Sequence, residues 1–148
     1  MNDSGIYLAR SPGDGGDYLA PLMLTIQVYF SRQTLVDLFS CAAEGGSNYW
    51  AGFTMTDLDD EGLPTAYNVT ELSEAPRVFH VNAETMAAGI AKLAAIVAEQ
   101  VAGEYPGPPA PKFGSARRHL ADVLNDNADA DTADVVLQLA TLGEVVYG

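Results

Sequence analysis

The heptapeptide Glu44-Gly45-Gly46-Ser47-Asn48-Tyr49-Trp50 constrains the fold more than any other stretch of this 148-residue chain. Leu35, Leu38, Phe39 and Ala42 precede it at helical spacing. That spacing predicts an amphipathic helix over 32–44, with Ser31 as its N-cap. Gly45 is expected to end this helix in the left-handed conformation, and Gly46 to extend the turn. A strand over 49–55 then opens with two aromatic residues, one of them the only tryptophan. A helix that passes into a strand within so few residues must pack its apolar stripe near a sheet. Strand alternation predicts Trp50 in the core and Tyr49 on the opposite face.

The remaining pattern extends this picture. Leu24 to Phe30 alternates in polarity and predicts a strand over 24–30. Further strands are expected near 66–72 and 77–81, with an acidic turn at Asp57-Leu58-Asp59-Asp60-Glu61-Gly62 before them. Asn82 should cap a long helix over 83–102, whose stripe is Met86, Ile90, Leu93 and Val97. The proline-rich segment 104–111 interrupts, and Ser115 should cap a short helix to about residue 125. Asp131 is expected to cap a last helix over 131–142, with Asp134 inside its first turn and Gly143 at its end. Glu144 to Tyr147 would add a final strand. The expected architecture is α+β: a small, mainly antiparallel sheet with three to four helices on it, in one domain over 23–148. Strand–helix alternation is too incomplete for a doubly wound parallel sheet. Residues 1–22, rich in glycine around Pro12, read as a flexible leader.

Charge narrows the function classes. Twenty acidic residues stand against seven basic ones, a formal net charge of −13. Such a chain lacks the cationic footprint that displaces counterions from phosphates, which argues against direct nucleic-acid binding. It is also repelled by anionic membranes, and no uninterrupted apolar stretch is long enough to span one. The acidic N-terminal residues do not resemble a secretory signal, and Cys41 stands alone. These point to a cytoplasmic protein, a possible homo-oligomer. A basic protein partner or mimicry of nucleic acid would both use the negative surface.

Motifs for chemistry are sparse. Gly46, Ser47, Asn48 and Tyr49 are the candidate ligand-binding residues: glycine backbone allows close approach, Asn48 offers amide hydrogen bonds, and Tyr49 can stack on a planar ring. The plainer alternative is that this turn only caps a helix and packs. Asp57, Asp59, Glu61 and Gly62 match the early positions of a calcium loop, but Asn68 stands where the bidentate glutamate belongs. His80 has no second histidine or cysteine at metal-ligand spacing; as a general base beside a carboxylate it would imply a small hydrolase-like enzyme. Neither a cofactor nor a metal is expected.

Two segments carry a resemblance: Ala43-Glu44-Gly45-Gly46-Ser47-Asn48-Tyr49-Trp50, and Ala133-Asp134-Val135-Val136-Leu137-Gln138-Leu139-Ala140 continuing through Gly143-Glu144-Val145-Val146-Tyr147-Gly148. Together they resemble a family of small acidic proteins of phages, prophages and bacteria to which no activity is attached. The resemblance spans about residues 23–148 and carries no functional residues across. It implies a non-enzymatic accessory protein that binds a host protein or a small polar ligand, for example to counter a host defence system.

Overall fold

The computed structural model describes residues 27–102 and 116–148. In order these form α1 (Arg32–Cys41), β1 (Ala51–Leu58), β2 (Pro64–Glu71), β3 (Val78–Val81), α2 (Ala83–Ala102), α3 (Ala116–Leu124) and α4 (Ala130–Thr141). The fold is α+β. The sheet is antiparallel in the order β1-β2-β3. The leader and the 104–111 connector lie outside the described residues, as does Ser115.

Register sorts the sheet into two faces. Phe53, Val69 and Phe79 align across the three strands, with Met55, Tyr67 and Val81 in the next row on the same side. This side meets α1: the Phe39 ring lies 4.5 Å from Tyr67 and 5.9 Å from Phe53, centroid to centroid. The other side carries the row Thr54, Asn68, His80. Between β1 and β2 the acidic turn is held by Asp59, whose Oδ1 accepts the amides of Glu61 and Leu63 at 2.9 and 2.8 Å. That carboxylate is engaged with its own turn, as Asx side chains commonly are.

Helix α2 is the central element, touching α1, α3 and α4. Its expected stripe, Met86, Ile90, Leu93 and Val97, is buried throughout. Asn82 caps it by accepting the Thr85 amide at 3.0 Å. Gly89 lets α4 approach closely: a Cβ there would sit 2.5 Å from the Val136 carbonyl oxygen. Helix α4 is buried from Thr132 to Leu139, on every side.

Several sequence expectations are corrected. Residues 27–30 are not a strand, and the rest of the expected 24–30 strand lies outside the described residues. Alternation assigned two faces to this segment, but a strand also requires a hydrogen-bonding neighbour. Here Val28 and Phe30 instead line a groove on α2 and α3. Helix α1 ends earlier than expected, in a π-helical turn over Ala42–Gly46. Gly45 is not left-handed; glycines with positive φ are Gly62, Gly143 and Gly148 among the described residues. Tyr49 and Trp50 belong to a turn in which the Ser47 carbonyl accepts the amides of Trp50 and Ala51, so β1 starts at Ala51. Asp129, not Asp131, caps α4, accepting the Thr132 amide at 2.9 Å. Residues 144–147 form no strand, because the amides of Val146 and Tyr147 turn to a side chain of α4.

Candidate functional site

The two segments singled out by sequence meet in one place. The π turn carries the chain from α1 over the N-terminal end of α4 and presents residues 46–50 to it. Gly46 is buried against Ala130, and a Cβ there would overlap the Ala130 carbonyl. Ser47 is fully buried and donates its hydroxyl to Asp134 Oδ1 at 2.7 Å. Trp50 Nε1 donates to the same oxygen at 2.7 Å. The Tyr49 hydroxyl donates to Asp134 Oδ2 at 2.9 Å, and Gln138 Nε2 donates to it at 3.1 Å. Asp134 thus has at least four donors at a site that is 1% exposed, and these replace the water a buried carboxylate loses. The expectation that Tyr49 and Trp50 face opposite ways fails here. Alternation applies to extended chain, and this turn brings both side chains to one carboxylate.

Gln138, one helical turn beyond Asp134, extends the network. Its Oε1 accepts the amides of Val146 and Tyr147, both at 2.8 Å, and its Nε2 donates to the Tyr147 carbonyl at 3.1 Å. This folds residues 144–147 back, and the Tyr147 ring stacks on the Trp50 indole. The Tyr147 hydroxyl is hydrogen-bonded to Glu71; burial first, and then that contact, raise the tyrosine above its ordinary pKa. Burial also pushes the Glu71 carboxyl upward. Hydrogen bonds from Arg77, Tyr147 and Ser73 outweigh it and hold the group below its usual value.

Of the four candidate ligand residues, Gly46, Ser47 and Tyr49 join this cluster, whereas Asn48 points outward and is exposed. Ser47 is enclosed, so what the turn offers to solvent is Asn48 and the partly exposed Tyr49. His80 stands apart, on the solvent-facing side of the sheet, with its Nδ1 3.4 Å from Asn68 Oδ1. Sequence reading missed Asp134, Gln138, Glu71 and Tyr147 as partners. Asp134 and Gln138 are four residues apart, the one polar pair inside an otherwise apolar helical run, and that spacing was the available signal.

A separate concavity opens between α1 and α3. It is a cavity of about 110 Å³ lined by the buried Leu38, Ile90 and Val123 together with Thr34, Asp37, Cys41 and Asp126. Burial, then Asp129 and Glu44, push the Cys41 thiol above its ordinary pKa. Phe30 and Ile90 separate this cavity from the broader apolar groove along Val28, Ala91 and Leu120. No group of three or more metal-ligating side chains occurs among the described residues, and no described helix is long and apolar enough to cross a membrane.

The chain finds no match among protein families, curated proteins or solved structures.

Proposed function

We propose that this protein acts by binding, as an accessory protein of the phage and prophage kind its two motifs resemble, and that its target is a positively charged surface of a host protein. The observation that supports this is an apolar cleft set in a surface with a large excess of negative charge. Seven cationic residues cannot neutralise twenty acidic ones, so thirteen charges remain without a one-to-one partner (20 − 7 = 13). Asp37 and Asp126 stand at the cavity between α1 and α3. A cationic partner with some apolar surface fits both features, and opposite potentials favour its encounter. A component of a host defence system is a target of this kind.

Other readings draw less support. The neighbour of His80 is an amide rather than the carboxylate a hydrolase would need. Mimicry of nucleic acid calls for carboxylates in a regular surface array. Here Glu84 and Asp131 occupy first helical turns, Asp129 caps α4, and Asp59 binds its own turn.

The test is capture of host proteins on the immobilised chain at physiological ionic strength, competed with polylysine. A saturable basic protein displaced by polylysine supports the reading. Reproducible turnover of a substrate, abolished by one point substitution, would overturn it.

A further inference from the structure

We propose that the cavity between α1 and α3 receives a lysine side chain of the partner, with the ammonium held between Asp37 and Asp126 and the alkyl stem on Leu38, Ile90 and Val123. This rests on the binding reading above and specifies its contact.

The cavity has the two chemistries such a side chain requires. Its lining joins the buried Leu38, Ile90 and Val123 to two exposed carboxylates, Asp37 and Asp126. Its volume of about 110 Å³ suits a slender group better than a ring system. A lysine stem buries its methylenes on apolar surface while its head stays hydrated and paired. Beyond Phe30 and Ile90, which line both spaces, the apolar groove offers a seat for a hydrophobic residue beside that lysine.

Both carboxylates are positioned by their elements. Asp37 Oδ1 accepts Gln33 Nε2 at 2.7 Å, one turn back on α1. Asp126 follows α3 in the left-handed conformation, φ 53°, where Asn127 N reaches the Asp122 carbonyl at 2.8 Å and Asp126 N the Val123 carbonyl at 3.3 Å. That is the helix-ending motif in which glycine is usual. An aspartate there gives up backbone ease and places a carboxylate at the cavity. Stability and binding therefore make opposite demands on residue 126, and this separates a binding role from a structural one.

The experiment uses the whole chain and follows backbone amide NMR signals at physiological ionic strength. The probes are n-butylammonium, which reproduces the lysine side chain, and 1-butanol, its uncharged counterpart. Butylammonium should shift the amides of Leu38, Cys41, Ile90 and Val123, and butanol should do so much less. Asp37→Asn and Asp126→Gly should each weaken butylammonium about threefold or more, as expected for exposed charge pairs. Asp126→Gly should melt at the same or a higher temperature than the parent. Polylysine is titrated in parallel against the parent and the double variant that combines Asp37→Asn with Asp126→Gly. If butylammonium leaves the cavity amides unmoved, or butanol binds equally well, the lysine site is overturned. If polylysine then binds parent and double variant alike, the cationic-partner reading survives without it. If polylysine binds neither, both readings fall.

Discussion

The indole of Trp50 and the phenol ring of Tyr147 lie 5.3 Å apart and 8° from parallel. Trp50 also donates to Asp134, and the backbone of Tyr147 is held by Gln138. One helical turn of α4 therefore anchors both members of the stack. Tyr147→Leu should cost about 2 kcal/mol, roughly half from the ring pair and half from the lost hydrogen bond to Glu71. Tyr147→Phe should cost about 1 kcal/mol. As Trp50 is the only tryptophan, its fluorescence reports directly. The leucine variant should shift emission to the red, and the phenylalanine variant should leave it nearly unchanged.

Asp134→Ala orphans several buried donors at once and should destabilise by about 3 kcal/mol or more. Trp50→Ala removes a fully buried indole and should cost about 3–5 kcal/mol. Asn48→Ala, on the exposed side of the same turn, should stay within about 0.5 kcal/mol. Chemical denaturation of the three variants checks the order. An Asn48 variant as damaged as the Asp134 one would contradict the geometry described.

Gly45 and Gly46 are adjacent but not equivalent. Nothing lies within 4 Å of a Cβ built on Gly45, and its φ is not positive. Alanine there should stabilise the helical turn by about 0.5–1 kcal/mol. Alanine at Gly46 would strike the Ala130 carbonyl, which must move together with the start of α4. That variant should lose about 2 kcal/mol or more. Melting curves of the pair should move in opposite directions.

Glu71 gives a pH dependence with a defined sign. Its folded pKa lies below the ordinary value, so its contribution is whole above an unfolded pKa of about 4.3 and fades as pH falls through the folded value. Protonating other carboxylates relieves repulsion in so acidic a chain and acts in the opposite direction. The proper readout is therefore the stability difference between the parent and Glu71→Gln. It should be constant from about pH 7 to about pH 5 and close below about pH 4. A gap that widens on acidification would contradict the ion pair with Arg77.

How much of this was legible in the sequence depended on distance along the chain. The stripes of α1 and α2, the cap at Asn82, and β2 with β3 all followed from local periodicity. The α+β class followed from them. Residues 24–30 misled because alternation specifies faces and not a pairing partner. The choice of Asp129 over Asp131 as cap was ambiguous, since both are good capping residues and only the local geometry separates them. The shared environment of Tyr49 and Trp50 was invisible, because Asp134 lies 85 and 84 residues away. For the candidate site, Gly46, Ser47 and Tyr49 meet in one cluster, but Asp134, the group that joins them, reads in the sequence as a helix-dipole residue.

The contact between Ser47 and Asp134 spans 87 residues, and synthesis proceeds from the N-terminus. When α1 and the π turn leave the ribosome, the carboxylate that will satisfy Ser47, Tyr49 and Trp50 has not been made. Through the production of the whole sheet and of α2 and α3, that turn must keep its donors hydrated and its indole uncovered. Loop closure over such a separation is slow relative to local folding. The last helix therefore acts as a fastener applied late, and Trp50 adds to the apolar surface the nascent chain exposes until α4 arrives.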